Sequence, residues 1–280
     1  MFENLKKGWA IGRSTRKLIF EDKTLMVYPL ISGIVAMFEM LVVFLPFGFS
    51  DFPSNPYYMI LALFLFYFVV TFTTTYIIMA MFIAFRAFES GNKIGHKQAL
   101  SAVRPYIKLV AEWSLFYASV IMLIRLLDSR TRGISGLIFG AVASMAIGLA
   151  TIFVVPVILD KKLTPIKAIK ESASFIFSHF GKAFGGLIYS DLYGFMLILP
   201  GVALIMAGLF LSSFVSVLLW ASIAIIGFGI VVIGGIITFV LSNIFRLIVY
   251  DFQSYGRVPN GFTADMLKAA VKQKRQIGSI

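Results

Sequence analysis

The chain has 280 residues, 59% of them hydrophobic, with a mean hydropathy of +0.92, a net charge of +12 and no cysteine. Its apolar stretches exceed the roughly 18 residues that cross about 30 Å of hydrocarbon, so the composition excludes an ordinary soluble protein and leaves no length for an extramembrane catalytic domain. The lack of cysteine excludes disulfides, thiolate metal sites and cysteine nucleophiles.

Six apolar stretches alternate with basic segments along the chain. The predicted spans are 25–47, 57–85, 107–127, 134–159, 184–211 and 214–250. Of the 25 Lys and Arg residues, 22 fall in the two terminal segments, in the connections after the second and fourth spans, or in the span ends beside them; the exceptions are Arg125, Arg130 and Arg132. Because cytoplasmic loops carry the excess of Lys and Arg, this pattern predicts that both termini lie in the cytoplasm.

The predicted fold class is an all-α, six-transmembrane bundle with cytoplasmic interfacial helices, in one integral membrane domain over 1–280. Residues 1–24 form an amphipathic cytoplasmic segment without the pattern of a removable signal peptide, 25–250 hold the spans, and 251–280 form a basic cytoplasmic segment. Basic residues beside apolar spans predict membrane lipids as partners, in the cytoplasmic (inner) membrane of the cell, and argue against nucleic acid.

Two cytoplasmic segments have the pattern of amphipathic helices that lie in the membrane interface. A hydroxyl cap and a first-position proline, Thr164 and Pro165, begin the stronger one, and residues 98–107 repeat its design. Residues 9–18 and 263–275 are further candidates. The cations opposite the aliphatic faces are predicted to bind lipid head groups: Lys97, Arg104, Lys108, Lys167 and Lys170.

The interfacial segments also predict an internal repeat. Ala10, Ala99 and Ala168 each precede an aliphatic residue by eight positions, which suggests three copies of interfacial helix, span, outside turn and span. The aliphatic residues are Leu18, Ile107 and Ile176.

Three stretches carry a resemblance to a known family. They are 22–34 (DKTLMVYPLISGI), 154–184 (VVPVILDKKLTPIKAIKESASFIFSHFGKAF) and 244–262 (IFRLIVYDFQSYGRVPNGF). These stretches resemble an uncharacterised family of bacterial and archaeal six-helix membrane proteins, and more loosely the membrane domain found beside some glycerophosphodiester phosphodiesterases. Phe180 stands where that family usually has a tryptophan. The resemblance implies the six-helix fold and supplies no catalytic residue.

Glu39 is the most unusual residue of the first predicted span, since it lies near the middle between Phe38 and Met40. An ionised carboxylate is costly at this depth, so we expect it to be protonated, paired or beside a wet cavity. The second span offers hydroxyl partners at a similar depth: Thr71, Thr73, Thr74 and Thr75. The pattern predicts either a hydrogen-bonded structural carboxyl or a site for an ion, proton or solute.

The fifth and sixth spans carry a second polar group. Asp191, Asn243 and Arg246 lie at comparable depth in antiparallel spans, which predicts a helix-pairing salt bridge or part of an ion or solute site. Proline and glycine at 200 and 201 are predicted to interrupt the fifth span, as a hinge or as a place of close packing. The glycines that line the sixth span are Gly227, Gly229, Gly234 and Gly235.

One motif suggests an enzyme. Residues 133–136 (GISG) and the later His179 resemble the serine and histidine motifs of rhomboid intramembrane proteases. The topology separates Ser135 from His179 by roughly the bilayer thickness, so we interpret the motif as packing and the protein as a non-enzyme. His96 and His179 lack a second ligand at metal spacing, and 91–97 lacks a phosphate-loop pattern, so neither a metal nor another cofactor is expected.

Two functional hypotheses follow from these patterns. The first is a non-enzymatic membrane protein that provides a pathway or binding cavity for a small solute, ion or lipid, because internal repeats and an intramembrane carboxylate are common in transporters. The second is a membrane scaffold that recruits lipids or a protein through its basic cytoplasmic rim. Its protein partner would be a second copy of the chain or another membrane protein.

Overall fold

The computed structural model describes residues 13–49, 56–130, 134–214, 216–264 and 267, and gives only the backbone at 46–49, 56, 128–130, 134–139 and 177–190. Every regular element within these ranges is helical. Within these ranges, six helical stretches, some of them made of more than one helix, are long and apolar enough to cross a membrane: Lys23–Leu45, Tyr57–Glu89, His96–Leu127, Gly140–Lys161, Asp191–Leu211 and Val217–Tyr255. The prediction of an all-α protein with six spans is confirmed.

The helices differ in places from the predicted spans. A first helix, α1, covers 13–21, and single 3₁₀ turns at Lys23–Met26 and Arg104–Tyr106 precede the first and third spans. The remaining helices are α2 (Val27–Phe49), α3 (Pro56–Glu89), α4 (His96–Ala102), α5 (Ile107–Arg130), α6 (Ile134–Ala150), α7 (Val154–Lys161), α8 (Pro165–Leu211) and α9 (Val217–Tyr255).

Contacts group the chain into two compact units. One comprises Leu30–Ser178, where α3 packs against α4, α5 and α7, and α5 packs against α6. The other comprises Met1–Pro29 and His179–Ile280, where the 3₁₀ turn at Lys23–Met26 packs against α9. The polar arrangements described below each lie within a single unit.

The fourth predicted span is not one helix. A turn at 151–153 separates α6 from α7, because the ring of Pro156 would clash with the carbonyl of Ile152 in a continuous helix. Phe153 directly precedes α7, and its backbone N–H donates to the hydroxyl of Ser172, in the same unit, over 3.1 Å. Ser172 is fully buried, so the break is a packed feature of the protein.

The prediction for the fifth span is wrong in two respects. The segment from Thr164 was expected to form an interfacial helix separate from the span, whereas α8 is continuous for 47 residues, or about 70 Å. Pro200 was expected to interrupt the span and instead lies inside this helix. Membrane helices tolerate such a proline because neighbouring groups satisfy the carbonyl that loses its donor.

Glycines on α8 and α9 bring these two helices into close contact. Gly194, Gly201 and Gly208 recur every seven residues on α8, and a Cβ atom added to Gly201 would lie only 2.6 Å from the carbonyl oxygen of Gly227. Gly234 makes a similar approach to Ile198, with 2.9 Å between an added Cβ and Cγ1. Gly229 and Gly235 have nothing within 4 Å of an added Cβ. Two of the four predicted glycines of the sixth span therefore belong to close helix packing.

The predicted repeat has a common element order in its first two copies only. A short helix, a 3₁₀ turn and a long helix follow each other in α1 to α2 and again in α4 to α5. In the third copy the short helix and the long helix are one continuous helix, α8. Ala99 and Ala168 are both fully buried, and Ala10 lies outside the described residues. The three-fold repeat stays a prediction.

Candidate functional site

The side of α2 that carries Glu39 faces inward. Its immediate neighbours Phe38 and Met40 are 66% and 56% exposed, whereas Glu39 is 8% exposed. Ser32, one heptad earlier, is also buried, so the two residues lie on the same face of the helix. The carboxyl group is therefore held inside the protein and not toward lipid.

Thr73 of α3 is the hydrogen-bond partner of this carboxyl group. Its hydroxyl donates to Oε1 of Glu39 over 2.5 Å, while the buried Oε2 has no hydrogen-bond partner in the described part of the chain. Both residues lie near the middle of their helices, as expected for a group deep in the membrane. Phe44 and Phe66 pack edge to face between the same two helices, with ring centroids 5.2 Å apart.

Half of the carboxyl group is thus left unsatisfied. A carboxylate accepts on both oxygens, and a protonated carboxyl has an O–H that requires an acceptor, so neither form is complete with one threonine. A bound proton reduces the cost of burying the charge, and a small cation beside Oε2 offsets it. The arrangement is suited to binding either one.

The other predicted threonines do not reach Glu39. Thr75 is buried, Thr71 and Thr74 are half-buried, and none of the three donates to the carboxyl group. Successive residues of a helix point about 100° apart, so only one member of a consecutive run can face α2.

An ion pair at the end of α3 was missed from the sequence. The two terminal guanidinium nitrogens of Arg86, Nη1 and Nη2, donate to the carboxylate of Asp160 on α7, over 2.6 Å and 2.9 Å. Such a two-point contact is stronger and more directional than a single one. Lys161 forms a further salt bridge with Glu171 of α8. The only signal in the sequence was that Arg86 and Asp160 each end an apolar stretch.

The predicted group in the fifth and sixth spans is arranged differently from the expected salt bridge. Ser242 donates to Oδ1 of Asp191 over 3.3 Å, and Asn243 donates to the carbonyl of Phe239 in its own helix. Asp191 is close enough to act electrostatically on Arg246, but the buried Nε of Arg246 has no hydrogen-bond partner in the described segments.

The predicted lipid-binding cations lie at the surface of one unit. Lys97, Arg104, Lys108, Lys167 and Lys170 are all exposed. Ala99 and Val103 bury the opposite side of α4, and Ala168 and Ser172 that of α8. The buried faces differ from the predicted aliphatic ones, since Ile107 and Ile166 are exposed while Ser172 is buried.

The protease interpretation falls on Ser135 and His179, whose side chains lie outside the described residues. The protease interpretation is rejected only on the predicted topology, so its rejection stays a prediction.

Comparison with known proteins gives one family. The chain matches neither a curated protein nor a solved structure. A family of unknown function, DUF6159, matches residues 56–261, which begins with α3 and includes Thr73 but not Glu39. The looser likeness to the domain beside phosphodiesterases remains a resemblance of sequence patterns. Since the match covers most of the chain, this protein with six candidate membrane spans belongs to the DUF6159 family of unknown function.

Proposed function

We propose that the protein is a non-enzymatic, multi-pass membrane protein that transfers a proton or small cation across the bilayer, with Glu39 as its ionisable group. The cell's inner membrane is the expected location, with both termini in the cytoplasm. Ionisable residues inside transmembrane segments are rare, and they mark substrate and ion pathways and proton relays.

One observation carries the proposal. Glu39 is buried, has one hydroxyl donor at 2.5 Å, and leaves Oε2 without a partner in the described chain. A purely structural carboxyl would be fully satisfied, because an unsatisfied buried polar group costs about 1–3 kcal/mol. A group that must take up and release a proton or cation has to keep a coordination position open.

The test is ion flux in liposomes of the purified protein. A trapped pH-sensitive dye reports proton entry after a potassium diffusion potential is imposed, and parallel vesicles report Na⁺ or K⁺ entry. We expect flux above that of empty vesicles for the natural protein, and the empty-vesicle level for Glu39→Gln, which cannot ionise. Glu21→Gln is the matched control, because Glu21 is an exposed carboxylate on α1.

A second pair of variants tests the hydrogen bond. Thr73→Val removes the donor with little change in shape, and Thr74→Val makes the same change one residue along, where no bond to Glu39 exists. We expect a reduced flux for the first variant only. Natural flux in Glu39→Gln, or equal effects of the two threonine variants, would remove the carboxyl group from the mechanism.

The exposed cations on α4, α5 and α8 favour a second candidate, a scaffold that recruits anionic lipids. Replacing Lys167 and Lys170 with glutamine should then lower the amount of anionic lipid that copurifies. A scaffold predicts no protein-dependent flux with any of the three ions, so the two functions are separable in the same vesicles.

A further inference from the structure

The last turns of α9 are enclosed by protein, unlike its beginning. Residues from Val240 to Asp251 are nearly all buried, whereas Val217 and Leu218 are more than two-thirds exposed. The 3₁₀ turn at Lys23–Met26 packs against α9 in the same compact unit. A polar group in such a place has lost its water and requires another partner.

Two side chains of α9 lack one in the described part of the chain: Arg246 within this stretch and Gln253 two residues after it. Nε of Arg246, and both Oε1 and Nε2 of Gln253, are buried without a hydrogen-bond partner among the residues described. The two residues are seven positions apart on α9, so they lie on the same face, about 10 Å apart along the helix axis. Asp191 accepts a hydrogen bond from Ser242 on Oδ1 and forms none with the guanidinium of Arg246.

The unsatisfied groups define the chemistry of a ligand. A guanidinium offers only donors and matches an anionic oxygen, whereas an amide both donates and accepts and matches an alcohol. A phosphodiester that carries a hydroxylated alcohol offers both partners, an anionic oxygen and an alcohol, in one molecule. At 39 residues α9 is longer than the roughly 20 that cross the hydrocarbon, so its ends, including the one near Gln253, extend into the head-group region.

We propose that Arg246 and Gln253 bind the head group of an anionic, hydroxyl-bearing phospholipid, with the phosphate at Arg246 and the alcohol at Gln253. This site is separate from the exposed cations of α4, α5 and α8, which attract anionic lipid through charge alone. It is also independent of Glu39 and of any flux. A built site of this kind selects among anionic lipids, which a charged surface does not.

The experiment measures thermal stabilisation of the detergent-purified protein by added lipid. Phosphatidylglycerol carries the phosphodiester and the alcohol, phosphatidic acid lacks the alcohol, and phosphatidylcholine has no net charge. We expect phosphatidylglycerol to bind about tenfold more tightly than phosphatidic acid, as for one hydrogen-bonded group. Arg246→Gln should lose the response to both anionic lipids, and Gln253→Leu should lose only the preference between them.

Two controls keep the outcome clear. Arg104→Gln removes an equal charge from the exposed cations and should leave the preference unchanged. If Arg246→Gln does not fold, Gln253→Leu still tests the site through the ratio of the two lipids. If the two anionic lipids stabilise the natural protein equally, or if neither stabilises it, the buried polar atoms of Arg246 and Gln253 are hydrogen-bonded to water and not to a lipid. Equal stabilisation by soluble glycerol phosphate would assign them to a free phosphate ester and overturn the lipid site.

Discussion

The close contact of α8 with α9 makes a quantitative prediction about one glycine. In Gly201→Ala the new methyl carbon would lie 2.6 Å from the carbonyl oxygen of Gly227 and 2.9 Å from the backbone nitrogen of Val231. Favourable carbon contacts require about 3.5 Å or more, so the two backbones must separate by close to 1 Å. Overpacking of this kind costs about 1–3 kcal/mol. Alanine also gains about 1 kcal/mol of helix propensity over glycine, which partly hides the cost.

Gly229→Ala separates these two effects. The substitution is chemically identical and lies on the same pair of helices, but nothing is within 4 Å of the added Cβ. Both variants gain the propensity, so their difference in unfolding free energy isolates the steric cost, which we expect to be about 1–3 kcal/mol. Unfolding of both proteins in the same detergent, followed by circular dichroism, gives this difference. Equal stability of the two variants would refute the backbone contact between α8 and α9.

Three other predictions concern the polar contacts and the topology. Reversing either charge of Arg86 or Asp160 should destabilise the protein by about 1–3 kcal/mol, and a variant with both reversed should recover part of this in a double-mutant cycle. Ser172→Ala should cost about 1–3 kcal/mol in unfolding free energy, because it leaves a buried N–H unsatisfied, whereas Ser213→Ala at an exposed turn should cost almost nothing. Since the chain lacks cysteine, Lys170→Cys and Ser213→Cys each introduce a single labelling site. On intact cells an impermeant maleimide should label only Ser213→Cys, because the predicted topology places residue 213 outside. Labelling of both variants would refute that topology.

The number of spans could be predicted from the sequence, but the course of two of them could not. Hydropathy and the Lys and Arg pattern depend on local composition, which is why six spans were correctly predicted. Pro156 and Pro200 look alike in apolar sequence, yet the first breaks a helix and the second does not. At the break before Pro156 the backbone N–H of Phe153 donates to the hydroxyl of Ser172, 19 residues away, and no local pattern reveals such a partner.

The polar contacts were predictable to different degrees for a similar reason. Glu39 is conspicuous because a carboxyl group in the middle of a span is costly, and the threonines at the same depth in the next span include its partner Thr73. Arg86 and Asp160 were missed because a charge at the end of a span is ordinarily solvated by reaching the interface. Such residues are common whether or not they pair, so only the packing of α7 against α3 identifies the ion pair.

The helix α3 links the candidate site to that ion pair. Thr73 and Arg86 are 13 residues apart, which is about 20 Å along the helix and about 220° around it, so the two residues face nearly opposite sides. At its middle α3 holds Glu39 of α2, and at its end it is fixed to Asp160 of α7. A movement of α3 that exposes Oε2 of Glu39 must therefore pivot about the ion pair or break it. If Glu39 transfers ions by such a movement, neutralising Asp160 should change the flux while the hydrogen bond from Thr73 is still present, whereas a static site should be insensitive to the change.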